Sequence, residues 1–164
     1  ERKEILPIRY LPESSLTPLL TLKKQQLIDL IQFLSLYDLA SELPQIVDPT
    51  QLKKIQSILT PKEKSFLKAK KNYKETFNFP PLGLKEWKGN PLFLKKVMHK
   101  RGIYRLSQAL CVEHQDLIWY ICHELDIGRG AALFKLTKSH PISNISEIIN
   151  SQIIEIISLL SEET

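Results

Sequence analysis

Glycine is scarce in this chain, five residues in 164, and cysteine (two) and methionine (one) are scarcer. So little glycine excludes a collagen-like or low-complexity class, and so little cysteine excludes a disulfide scaffold. Cys111 and Cys122 lie eleven apart; on one continuous helix they would sit roughly 16 Å from each other, too far to bridge, and they read as two buried reduced thiols. No apolar run approaches the length of a membrane span, and the N-terminus lacks the charged-then-apolar order of a signal peptide. The first residue is Glu1, so a piece trimmed from a longer protein is expected.

Catalytic signals are missing too. No serine sits in a nucleophile-elbow setting, and Gly128-Arg129-Gly130 followed by Lys135 and Lys138 lacks both the spacing and the preceding strand of a phosphate-binding loop. Glu113, Asp116, Glu124 and Asp126 read as exposed acids at helix ends. Cys111, His114, Cys122 and His123 are zinc-type residues, but Cys122 and His123 are adjacent and point apart on a helix, so a site would need a turn near residue 114. The expectation is no enzyme, no cofactor and no metal.

What the chain has is apolar periodicity at helical spacing and an uneven distribution of charge. The stretch from Gly102 to Glu124 holds Ile103, Tyr104, Leu106, Leu110, Leu117, Ile118, Trp119, Tyr120 and Ile121. A segment apolar over so much of its circumference packs between other helices. Ahead of it, residues 1–21 read as an irregular lead-in with Pro7, Pro12 and Pro18, anchored by Ile5, Ile8, Tyr10 and Leu11. Leu22 to Leu39 reads as a helix, extended over Asp38–Leu43 and ended by Pro44. Asp48-Pro49, Thr60-Pro61 (with Glu63) and Asn90-Pro91 each pair a capping side chain with proline at the first turn. The helix after Thr60 is expected to run to about Tyr73. The one from Pro91 passes Leu92, Phe93, Leu94, Val97 and Met98 to Gly102, where either a break or continuation is open.

Between these, Phe77 to Gly89 is a loop too apolar for an idle linker, expected to fold back on the core or to form a docking edge. Glu113–Asp116 marks a turn, and the next helix is expected to end near Asp126, with Gly128 and Gly130 as stop signals. A short helix over Ala131–Lys138, closed by Pro141, and a final helix opened by Asn144 complete the series. Nothing reads as a strand. The fold class is all-α, a compact domain of six to eight helices over residues 22–164 behind the N-terminal lead-in.

From Lys62 to Arg105 there are thirteen Lys/Arg against three Asp/Glu, and from Leu106 onward three against eight. A basic middle and an acidic C-terminal third concern partners more than fold. Lys68, Lys70, Lys71, Lys95, Lys96, Lys100, Arg101 and Arg105, with Trp87 or Tyr73 to stack, could meet nucleic acid, although no recognition helix or RNA-binding motif accompanies them.

Two blocks carry a likeness to a known family. Leu27 through Lys71 (LIDLIQFLSLYDLASELPQIVDPTQLKKIQSILTPKEKSFLKAKK) leads from a helix of Leu/Phe/Leu spacing to one built on Leu52 and Ile55. Val97 to Leu125 has Gly102-Ile103 ahead of Leu106, Ala109-Leu110 and Trp119. With its helices in this order the chain resembles the SctK/YscK family, accessory proteins of the type III secretion sorting platform. The resemblance implies a non-enzymatic adaptor at the cytoplasmic face of the inner membrane. It would link the cytoplasmic domain of an SctD-type ring protein to an SctQ-type pod protein. On that reading Lys68, Lys71, Lys95, Lys96 and Lys100 are candidate partner contacts, with Trp87 as an anchor. The acidic C-terminal third, or its isoleucine-rich helix, would meet the second partner. A helical interaction module of another assembly is the alternative.

Overall fold

A computed structural model describes residues 4–140, 142 and 144–162. The only regular secondary structure among these residues is helical, with no strand. The α-helices are α1 (Lys24–Leu34), α2 (Leu36–Glu42), α3 (Pro49–Ser57), α4 (Pro61–Ala69), α5 (Pro91–Leu110), α6 (Gln115–Glu124), α7 (Ile127–Thr137) and α8 (Ile145–Ser161). Among the described residues that makes eight, or seven if α1 and α2, parted only by Ser35, count as one, so the all-α expectation stands. No helix among the described residues is long and apolar enough to cross a membrane.

Three helix starts form by the local chemistry expected of them. The Asp48 side chain accepts from the Thr50 amide, and the Asn90 side chain accepts from those of Leu92 and Phe93. Thr60 and Glu63 complete a reciprocal capping box ahead of Pro61. Each satisfies amides that the first helical turn leaves open.

The long helix expected over Leu22–Leu39 is broken at Ser35. There the backbone amide turns to the carbonyl of Gln32, three residues back, and the hydroxyl donates to the same carbonyl at 2.6 Å. Leu22 lies outside α1, just after a 3-10 turn over Thr17–Thr21. Helix α4 stops at Ala69, short of Tyr73, because the amide of Lys70 bonds carbonyls both three and four residues back as the turn tightens. At Gly102, by contrast, α5 continues without interruption.

Gly128 and Gly130 do not stop a helix; they lie inside α7, whose start is capped by Asp126 accepting from the Arg129 amide. Gly130 is there because a Cβ at that position would collide with the backbone carbonyl of Cys122. The last helix starts where expected, but Asn144 makes no side-chain cap and instead holds a left-handed backbone with φ of 65°. Pro141, expected to close the helix before it, falls outside the described residues.

The chain divides into two compact units, one holding the described residues up to Ile31 and from Ile103 onward, the other Gln32–Gly102. In the terminal unit α6 packs against α7 and against the 3-10 turn over Thr17–Thr21. Leu16, Leu19, Leu106, Leu110, Leu117, Ile121, Ile149, Ile153 and Ile156 are buried in it. The lead-in belongs to this unit, and of the four side chains expected to anchor it Ile5 and Leu11 are half-buried. Ile8 and Tyr10 stand exposed in a short 3-10 turn (Ile8–Tyr10), while Leu16 and Leu19 are buried. Its backbone is held at Leu6, whose amide donates to Asp116 at 3.0 Å and whose carbonyl accepts from the Tyr120 hydroxyl at 2.7 Å.

In the central unit α2 packs on α4. The contact is aromatic: Phe66 meets Phe33 and Tyr37 edge to face at 5.5 and 5.4 Å, and Tyr37 meets Tyr73 at 5.1 Å. Such edge-on pairs align ring hydrogens with the negative face of the neighbouring ring. The loop between α4 and α5 folds back on this unit through Leu84 and Trp87, both buried.

Candidate partner-docking surface

All six residues singled out for partner contact lie in the central unit. Lys68 sits on α4, Lys71 just past its end, and Lys95, Lys96 and Lys100 on the first half of α5; all five side chains are exposed. Among the described residues none of their ammonium groups makes an ion pair or hydrogen bond. Trp87 behaves differently. It is 6% exposed, and its indole N–H donates to the carbonyl of Asn90 at 2.9 Å. Its ring is consumed in fixing the loop to the start of α5, so the structure corrects its assignment as an exposed anchor.

Several charges of the central unit are committed. Arg101 pairs with Asp38 and also donates to the carbonyl of Pro80, and its guanidinium lies 5.5 Å over the Phe79 ring. The buried Glu42 carboxylate accepts from three consecutive amides, Leu82, Gly83 and Leu84, at 2.8, 3.0 and 3.0 Å. Gly83 takes φ of 89°, a left-handed conformation that lets its amide point the same way as its neighbours. A carboxylate surrounded by backbone donors in this way is a charge-assisted clamp on the loop.

Arg101, Asp38 and Glu42 line a cleft of about 900 Å³ whose wall continues through Tyr73, Phe77 and Phe79, with Lys71 among its lining residues. Lys70 lies over the rings of Tyr37, Phe66 and Tyr73 at 5.4 to 5.9 Å, a cation held on the aromatic cluster. The basic surface therefore divides. Lys70 and Arg101 are structural, whereas Lys68, Lys71, Lys95, Lys96 and Lys100 are uncommitted, as are Lys53, Lys54, Lys64, Lys74, Lys85 and Lys88.

Two further residues belong to this surface and were not assigned to it from the sequence. Leu92 is 72% exposed and Phe93 59% exposed at the start of α5. The buried side of this helix is carried by Leu94 and Met98. The signal was present in the spacing: Phe93, Lys96 and Lys100 recur at intervals of three and four, which puts them on one face with Leu92 beside them.

The other constellations acquire ordinary roles. Arg105, counted among the phosphate-binding candidates, is fully buried in the terminal unit and donates to Gln152 at 3.0 Å. His114 caps α6 by accepting from the Asp116 amide, and the His123 ring stacks on Trp119 at 3.9 Å while its Nδ1 meets the Trp119 carbonyl. Both cysteines are free. Burial pushes the Cys122 thiol up to about 11 and raises that of Cys111, so neither is poised as a nucleophile. No group of three or more metal-ligating side chains comes together among the described residues.

No family model, no curated protein and no solved structure matches this chain.

Proposed function

We propose that this protein is a non-enzymatic adaptor of the type III secretion sorting platform. It would join the cytoplasmic domain of an SctD-type ring protein to an SctQ-type pod protein at the cytoplasmic face of the inner membrane. The two sequence blocks that resemble the SctK/YscK family supply the identity of the partners. The observation that carries the docking role is the set of five exposed lysines with uncommitted ammonium groups, on a unit where Lys70 and Arg101 are held internally. Unpaired charge on a rigid helical unit is suited to steer and orient a complementary partner, a gain in on-rate and specificity more than in affinity. The acidic terminal third offers the opposite sign to a second partner.

The test is co-purification of the Lys68→Glu/Lys71→Glu/Lys96→Glu variant with the ring-protein domain and with the pod protein. Capture of one partner should fall at least about tenfold at moderate salt, as expected for several reversed rim charges, while capture of the other is retained. Undiminished capture of both would overturn the assignment of this surface.

A further inference from the structure

The outward faces of α5 and α8 are complements of one another. On α5, Leu92, Phe93, Lys96 and Lys100 face solvent together. On α8, the solvent-facing residues are Glu147, Ser151, Ile154, Glu155, Ser158, Ser161 and, at its C-cap, Glu162. That helix carries no lysine or arginine at all, and Ile154, 44% exposed, is the apolar residue that interrupts its polar face. Among the described residues, neither the ammonium groups of Lys96 and Lys100 nor the carboxylates of Glu147 and Glu162 have a bonding partner.

The spacing also agrees. Phe93 and Lys100 are seven residues apart, and so are Glu147 and Ile154. On an α-helix this is about 10.5 Å in both cases. Laid antiparallel, Phe93 covers Ile154 as Lys100 reaches Glu147, and Lys96 stands opposite the small Ser151. An apolar contact flanked by an opposite-charge pair is a usual composition of a weak helix–helix interface.

We propose that the α5 face of one molecule binds the α8 face of a second copy of this chain. The two surfaces are different, so each copy offers α5 to one neighbour and α8 to another, and association runs head to tail. The contact is far smaller than that of a stable dimer, so it is weak and salt-sensitive. Because Lys96 and Lys100 also belong to the proposed partner-docking set, self-association and partner docking compete. The inference does not depend on which partners those are.

Sedimentation velocity of the full chain at low salt tests it. The weight-average mass should rise over about 10 μM to 1 mM protein and fall back to the monomer near 0.5 M salt. Lys96→Glu/Lys100→Glu and Glu147→Lys should each remain monomeric with unchanged helical circular dichroism, and mixing the two should restore association. Phe93→Ser should weaken it at least fivefold. A wild-type chain that stays monomeric throughout the range overturns the proposal. So does association that survives either charge variant, or a mixture of the two that stays monomeric. Self-association lost with partner capture intact would leave the adaptor reading standing, and the reverse result would sink that reading alone.

Discussion

Glu42 shows how one residue can hold a segment with little regular structure of its own. Residues 70–90 have no α-helix, and their amides need partners that local geometry does not supply. The Glu42 carboxylate satisfies three of them at once, and Leu84 and Trp87 are buried alongside. Glu42→Ala should therefore lower stability by about 3 kcal/mol, the order expected when buried amides lose a charged acceptor. Urea denaturation would measure it, and a red shift of Trp87 emission would report the loosened loop. A loss below about 0.5 kcal/mol would mean that water replaces the carboxylate at no cost. Cys122 gives a second prediction at this scale. Its folded pKa, about 11, exceeds the ordinary thiol value because burial disfavours the thiolate. Below the unfolded value both states keep the proton. Above it the unfolded chain loses the proton first, so stability should fall as pH rises from about 8.5 toward 11. Alkylation by iodoacetamide at pH 8.5 should accordingly be at least about tenfold slower in the native protein than in urea, since the thiolate is the reacting species.

At the scale of elements, the helix starts are set by neighbouring residues and the helix ends by packing. Asp48, Thr60 and Asn90 cap their helices as their sequence contexts demand. Helix α7 shows the opposite case. Gly130 fits because the Cys122 carbonyl lies directly beside its Cα, whereas a Cβ on Gly128 would make only an ordinary contact with the Asp126 carboxylate at 3.6 Å. The two glycines should therefore respond oppositely to the same change. Gly128→Ala should gain about 0.5–1 kcal/mol from helix propensity, and Gly130→Ala should lose at least about 1 kcal/mol because a backbone carbonyl has to move. Thermal unfolding of the pair checks this, and equal effects at both sites would refute the close approach of α6 to α7.

For the whole molecule, the decisive property is where charge remains uncommitted. Arg101 and Lys70 are absorbed by Asp38 and by aromatic faces, and Arg105 is buried. What remains basic is a set of exposed lysines spread over α3 (Lys53, Lys54), α4, the segment between α4 and α5 (Lys85, Lys88 among them) and α5. Lys68, Lys71, Lys95, Lys96 and Lys100 are the five assigned to docking. If this set docks a partner, capture should decline with rising salt between about 0.05 and 0.5 M, because exposed charges are screened over a shrinking Debye length. Salt-independent capture would place the partner on an apolar surface instead.

Much of this was legible in the sequence, for a physical reason. Capping side chains, prolines at first turns and three-to-four spacing are local, so they fixed the helical class, the starts of α3, α4 and α5, and the turn before α6. Only tertiary structure decided the roles that depend on distant chain. It buried Trp87 against Asn90 and put Glu42 under residues forty positions away. It turned Gly130 from a stop signal into a contact point, and it left Leu92 and Phe93 facing solvent. Periodicity tells which residues share a helical face. Which face is covered depends on what packs against it, and that is not written within one helix.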